Sequence, residues 1–493
     1  MLQAASGIYQ SVLSCKIADM FQTVTLPLWA LILILGFAAV TFASHFLFPS
    51  VRWFFRRRME RAIAKLNNRL QRPIEPFKIM RRQDQVTRLI YDPQVMEAVR
   101  DYARDEGVPP NVAFEKARSY AREIVPGFST ATYFGFAIKL AQRLSQGLYH
   151  VRIGGADTPG LKQIDSRAAV VFVMNHRSNM DYVLITWLAS KHSALSYAVG
   201  EWARVWPLKA LIRAMGAYFI RRRYSNPLYR AILARYVQMS VQQGTTQAIF
   251  PEGGLSLTGT VGTAKKGLLH YIVRGFNLHE GQDVVFVPVA LNYDRILEDR
   301  VLISAGQQGI RRFPVRMKVV LGFTLRILWQ KLRGKFTPFG YAAVCYGAPL
   351  SLRDFMTHDP DASTETLAEN LMQRIRSAVP VLPVTFVAAA IVRCGGACAR
   401  AQLEAECDRL RADLHARKAW MHLPDDSDKD FISAGLGALE LRGIIAMHDG
   451  QISTSAGQDS VLGFYAAPTL QRCDAPIGIA TDQHQLLQNP DTH

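Results

Sequence analysis

A chain of 493 residues, 49% hydrophobic and 20% charged, has room for two or three domains and a large core, and fits a globular protein with some membrane contact rather than a low-complexity polymer. Its net charge of +18 favours acidic partners, whether nucleic acid, anionic lipid or phosphorylated substrates, without choosing among them. The six cysteines (Cys15, Cys345, Cys394, Cys398, Cys407, Cys473) show no paired C-x-x-C spacing, which argues against a disulfide framework or structural zinc and for reduced thiols facing the cytosol.

After a short N-terminal segment, 1–23, residues 24–48 (VTLPLWALILILGFAAVTFASHFLF) carry no Asp, Glu, Lys or Arg. That is about the length needed to cross a hydrocarbon core of ~30 Å, and Trp29, Phe46 and Phe48 stand near its ends. The run predicts a transmembrane helix, with a buried core helix as the alternative. In the basic segment 49–83, Arg52, Arg56, Arg57, Arg58, Arg61, Lys65, Arg69 and Arg72 are opposed by Glu60 alone over the first two dozen residues. The positive-inside rule then predicts a single-pass protein of the cell's inner membrane, its downstream domains cytoplasmic, with membrane lipids as partners. No recognition-module signature accompanies the cluster, so nucleic acid is not expected.

Residues 84–150 read as a helical accessory region: VMEAVRDYARDEG and AFEKARSYAREI repeat apolar residues every three or four positions, punctuated by Pro109-Pro110 and Pro126-Gly127. Residues 151–352 alternate apolar runs with helical stretches: the run around Val170 to Val173, helix LKALIRAMG, strand AYFI, helix LYRAILARYVQMSVQQG, strand QAIF, helix KKGLLHYIVRG and strand VVFVPVALNY. This alternation predicts an α/β domain with a mixed, largely parallel sheet flanked by helices. Residues 353–470 read as a small α+β C-terminal module with amphipathic helices at TETLAENLMQRIRSAV and AQLEAECDRLRADLHARK, and 471–493 as a frayed polar tail.

Chemistry gathers at turns of the central domain. In VFVMNHRSNMDY, His176 stands at the mouth of a strand-to-helix turn and Asp181 follows five residues later. The carboxylate can return to the imidazole, fix one ring nitrogen as a donor and leave the other to take a proton. Alternatively Ser178 to Asp181 is a capping box and Asp181 only ties down the first helical turn. GAYFIRRRY places Gly216 before Arg221, Arg222 and Arg223, whose guanidinium forks suit a phosphate; a solvated basic strand end is the alternative. FPEGGLSLTGT sets Glu252 before Gly253 and Gly254, where the backbone can approach a ligand, or form an ordinary loop. Ser256 lacks a G-x-S-x-G elbow. In VPVALNYDR, Tyr293 can face the same site or end a plain core strand.

Taken in order, NHRSNMDY, GAYFIRRR, FPEGGLSLTG and VPVALNYDR resemble the four blocks of the glycerolipid acyltransferases, and more narrowly the glycerol-3-phosphate and dihydroxyacetone-phosphate branch. Leu228-Tyr229 and Lys265 before Gly267-Leu268-Leu269 match that branch too. The resemblance implies the glycerolipid acyltransferase fold and transfer of a fatty acyl group from acyl-CoA or acyl-ACP (acyl carrier protein) to the sn-1 hydroxyl of glycerol 3-phosphate. It implies His176 and Asp181 as catalytic, and Arg177, Ser178, Gly216, Arg221, Arg222, Arg223, Glu252, Gly253, Gly254 and Lys265 as substrate-binding. It implies no metal and no cofactor beyond the acyl donor. Leu255 and Leu257 stand where the family's third block has arginines, which leaves open dihydroxyacetone phosphate or lysophosphatidic acid as acceptor, compensation by Arg223 or Lys266, or a non-catalytic descendant that binds anionic lipid.

Overall fold

Two runs free of charged residues, AVVFVM and VVFVPVALNY, form the central strands β2 (Ala169–Met174) and β6 (Val284–Tyr293), buried along their whole length. Strands covered on both faces read as continuous apolar runs, and these two pair in parallel from Ala169 opposite Val284 to Met174 opposite Val289. The computed structural model describes residues 27–38, parts of 57–73, and 74–474 apart from 156–158, 191–193, 201–207, 222–225, 310–328, 331–332, 335 and 422–427. The chain divides into two compact units, Met1–Arg69 and Leu70–His493.

In the first unit, helix 28–38 exposes apolar side chains including Trp29, Ile32 and Phe37. At 1.5 Å per residue this helix is about 16 Å long, roughly half of a ~30 Å hydrocarbon core. Among the described residues no helix is long and apolar enough to cross a membrane. This overturns the expected spanning helix over 24–48 and the single-pass inner-membrane placement drawn from it. A charge-free run measures sequence length, whereas spanning needs unbroken helical rise, and the described helix supplies too little. Segment 1–23, the rest of 24–48 and most of 49–69 lie outside the described residues.

In the second unit the sheet runs in the order β1 (His150–Gly154), β7 (Tyr341–Tyr346), β6, β2, β5 (Gln247–Ile249), β3 (Ser196–Val199) and β4 (Tyr218–Phe219), with β8 (Leu350–Ser351) also paired to β6. From β6 through β4 the strands are parallel; β7 and β8 oppose β6, and β1 follows β7. This is the mixed, largely parallel sheet flanked by helices that the sequence predicts. Strands β3 and β8 escape a periodicity reading because each is brief, and β1 because it is largely uncovered.

Side chains alternate across the sheet. Val170, Phe172 and Met174 enter a core shared with the C-terminal helices, while Ala169, Val171 and Val173 enter one shared with the accessory helices Arg82–Ile90, Pro93–Asp105 and Pro110–Ile124. The apolar run LPVTFVAAAIV becomes helix Pro383–Arg393, buried from Pro383 to Ile391. A small sheet, β10 (Ile445–His448), β11 (Gln451–Thr454) and β9 (Ala397–Ala399), completes the C-terminal module. Its last helix, Asp459–Asp474, includes residues expected in the frayed tail: Gln471 exchanges two hydrogen bonds with the backbone of Val261, at 2.8 and 3.0 Å, so tertiary contact orders it. Residues 475–493 lie outside the described residues.

Asp294, just past β6, ties these parts together. Its Oδ2 accepts from the Tyr341 N–H at 2.8 Å and its Oδ1 from the Val384 N–H at 2.9 Å. Full burial pushes its carboxyl up to about 7, against the pull of those two donors. Between the ordinary aspartate value and pH 7 the unfolded chain releases this proton and the folded chain keeps it, so stability falls as pH rises through that window. The slope is about 1.4 kcal/mol per pH unit. Chemical denaturation at pH 5 and pH 7 is expected to show this loss in the wild type and a shallower one in Asp294→Asn.

Candidate active site

Beyond Met174 the chain continues the ladder by side chain: Asn175 donates to the Leu291 carbonyl at 3.0 Å and accepts from the Leu291 N–H at 2.7 Å. His176 therefore leaves the sheet at the carboxyl end of β2, before helix Met180–Ala189. Its Nδ1 lies 2.9 Å from Asp181 Oδ2, and the ring packs between Phe250 and Tyr182 with only 3% of the residue exposed. With Nδ1 given to the carboxylate, Nε2 is the proton acceptor.

Asp181 carries both roles that its spacing allows. Oδ2 also accepts from the Arg177 and Ser178 backbone N–H groups at 2.7 and 3.0 Å, while Oδ1 accepts from the Tyr293 hydroxyl at 2.6 Å. Burial, and then the Asp181 charge beside it, hold the Tyr293 hydroxyl well above its ordinary pKa, so it stays a donor.

The third block grips the same turn. Glu252 Oε1 accepts from the His176 N–H at 2.9 Å and Oε2 from the Gly262 N–H at 3.1 Å, and Ser256 N–H donates to the His176 carbonyl at 2.8 Å. Burial raises the Glu252 carboxyl while these donors pull it back. Gly253 has φ +67°, and a Cβ there would lie 2.7 Å from Lys265 Cδ, so the lysine stem crosses this glycine. Around Gly254 a Cβ would meet nothing within 4 Å.

Arg177 is 1% exposed; Nη1 donates to the Gly259 carbonyl and the guanidinium lies 5.1 Å from the Phe464 ring centre. Desolvation lowers its pKa to about 10, which leaves it charged at neutral pH. Ser178 Oγ donates to Glu298 Oε2 at 2.8 Å, and Asn179 donates to Glu298 Oε1 from its backbone at 3.2 Å and its side chain at 2.9 Å. Glu298 carries no local motif, and Phe464 opens the C-terminal run FYAAPTL, far in sequence from the four blocks. The one signal for Glu298 was a carboxylate five residues after Tyr293.

The second block is placed differently. Arg221 Nε and Nη2 donate to the two Glu123 oxygens at 2.8 and 2.6 Å, and the guanidinium stacks on Tyr120 and Tyr229. It follows the edge strand β4, three strand spacings from β2, or about 14 Å across the sheet. Gly216 precedes β4 and sits at the opposite end from His176, with φ +89° and with Phe128 and the Leu195 carbonyl against it, so its place in the structure is that of a turn residue. Arg222 and Arg223 lie outside the described residues. Leu255 and Leu257 pack against the apolar core, and Lys266 pairs with Glu365 at 2.6 Å. Among the described residues no group of three or more His, Cys, Asp or Glu could hold a metal ion.

Two regions of the chain match known protein families. A family described as "Acyltransferase" matches residues 157–292, and one described as "Glycerol-3-phosphate acyltransferase C-terminal region" matches residues 326–466. The glycerol-3-phosphate acyltransferase of Pseudomonas syringae pv. syringae strain B728a is 26% identical over 334 residues, covering 64% of this chain and 39% of that protein. The Pseudomonas putida protein of the same name is 28% identical over 337 residues, with 64% and 39% covered. The chain thus spans about two fifths of the length of these curated relatives. A solved structure, the 1-acyl-sn-glycerophosphate acyltransferase of Thermotoga maritima, aligns at 20% identity over 49% of this chain and 77% of that one, with a TM-score of 0.31.

Proposed function

The chain belongs to the glycerol-3-phosphate acyltransferase family, and from that premise we propose that it transfers a fatty acyl group from an acyl thioester to the sn-1 hydroxyl of glycerol 3-phosphate, giving lysophosphatidic acid for phospholipid synthesis. The observation that carries this reading is the buried chain Tyr293–Asp181–His176, which holds one imidazole nitrogen as donor and leaves the other as base. His176 Nε2 takes the hydroxyl proton as that oxygen attacks the thioester carbonyl. Collapse of the tetrahedral adduct breaks the carbon–sulfur bond, and the imidazolium returns the proton to the departing thiolate. The acceptor is the nucleophile, so no acyl-enzyme forms.

Arg177, Lys265 and the second-block arginines supply the positive charge for the acceptor phosphate in this reading, and Arg221 reaches it only by exchanging Glu123 for phosphate. Acyl-CoA and acyl-ACP present the same reacting bond, and membrane lipid joins the partners because donor and product each carry a fatty chain. The core-packed Leu255 and Leu257 make acceptor choice an experimental matter. The purified full chain, given labelled palmitoyl-CoA and separately glycerol 3-phosphate, dihydroxyacetone phosphate or lysophosphatidic acid, is expected to acylate glycerol 3-phosphate fastest. Faster use of either alternative reassigns the acceptor, and no product with any of the three removes the enzyme reading.

Glu298 positions the turn without touching the reacting atoms. Glu298→Ala is expected to lower kcat about tenfold with KM little changed, and Glu298→Gln to recover most of it because the amide oxygen still accepts from Asn179. Steady-state kinetics on the three proteins reads this directly.

A further inference from the structure

Helix Ile138–Leu148, which continues the π-helical turn Ala131–Ala137, packs its Ala141, Ser145 and Leu148 face inward, against the Met180–Ala189 helix that carries Asp181. Next to that face stands an apolar row turned to solvent: Phe136 is 56% exposed, Leu140 37% and Leu144 42%. These positions recur every four residues, so they form one stripe along the helix. Lys139 and Arg143 flank it, both exposed and neither paired with a carboxylate among the described residues. No Asp or Glu occurs anywhere in residues 125–156. Exposed apolar residues are ordinary when scattered; a row of three beside two unpaired cations is not.

We infer that this face lies on an anionic lipid surface, with Phe136, Leu140 and Leu144 in the interfacial layer and Lys139 and Arg143 on the headgroups. The cations select the occupant: an apolar ligand or a second copy of this same basic face would leave their charge unanswered. The stripe also points at the chemistry. The helix leads into Tyr149, whose ring packs 5.4 Å from that of Tyr293, the hydroxyl donor to Asp181. A surface bound here delivers an acyl chain to the end of the sheet where His176 stands. The face lies on the protein's surface and crosses nothing, and its affinity for lipid stands whether or not acyl transfer is the activity.

The test is flotation of the full chain with vesicles of phosphatidylcholine containing about one third phosphatidylglycerol, and with vesicles of phosphatidylcholine alone. The Phe136→Ser/Leu140→Ser/Leu144→Ser variant is expected to lower the partition coefficient about a hundredfold. Lys139→Gln/Arg143→Gln is expected to lower it about tenfold and to remove the preference for anionic vesicles. Leu441→Ser, at an exposed apolar position in the C-terminal module, serves as the control and is expected to change nothing. All substitutions are at the surface, so melting temperatures are expected to match the wild type. Wild-type vesicle binding by the triple variant overturns the inference, as does a wild type that ignores both vesicles. A dimer that dissociates only in the triple variant, without lipid, assigns the face to a second copy instead.

Discussion

His176→Ala is expected to lower kcat by about 10⁴-fold with the fold intact, and Asp181→Asn by about 10³-fold with the fold weakened. The difference follows from what each side chain holds. His176 supplies the base, an effect of roughly 10²–10⁴ on its own, and its loss also removes the group that protonates the departing thiolate. Among the described residues its side chain makes one hydrogen bond, to Asp181, so few of the bonds that hold the turn depend on it. Asp181 accepts four, from the His176 ring, two backbone N–H groups and Tyr293, inside a fully buried pocket. An asparagine there turns an amide donor toward at least one of these donors and removes the charge that steadies the imidazolium. Kinetics and thermal melts of both variants separate the roles. An Asp181→Asn enzyme with wild-type turnover would reduce the carboxylate to a helix cap and remove the catalytic assignment.

Glu252→Ala is expected to cost both stability and rate. It leaves the buried His176 N–H without its acceptor, at about 1–3 kcal/mol, and takes the same partner from the half-buried Gly262 N–H. It also frees the backbone that aims the imidazole, and a displacement of about 1 Å in such a site costs roughly a hundredfold. Glu252→Gln keeps one acceptor oxygen and is expected to fall between alanine and wild type in both measurements. Loss of stability with unchanged kcat would make Glu252 a brace for the loop and nothing more.

The Asp294 and Glu298 variants probe the same idea further from the base. Each carboxylate joins segments far apart in the chain, Asp294 across 90 residues to Val384 and Glu298 across 120 to Ser178. Such groups are invisible to a reading that looks for neighbours in sequence.

What the amino-acid order determined by itself was local or repetitive. The short apolar runs at 169–174 and 284–293, set in alternation with helical stretches, read as strands covered on both faces, and the three- and four-residue repeats at 93–124 read as helices that bury one side. The His176-to-Asp181 contact was readable because the turn between them is too short to carry the carboxylate far from the ring. Strand order decided the rest. Placing β2 between β5 and β6 brings Glu252 and Tyr293 to His176 and Asp181, whereas placing β4 at the edge leaves Arg221 beside Glu123 and Gly216 at the far end. Packing of the last helix against the third block sets Phe464 on Arg177 and orders Gln471. A basic residue near a motif has many carboxylates within reach along the chain, and only the folded arrangement selects one, because pairing energy falls steeply with a distance that sequence separation does not report.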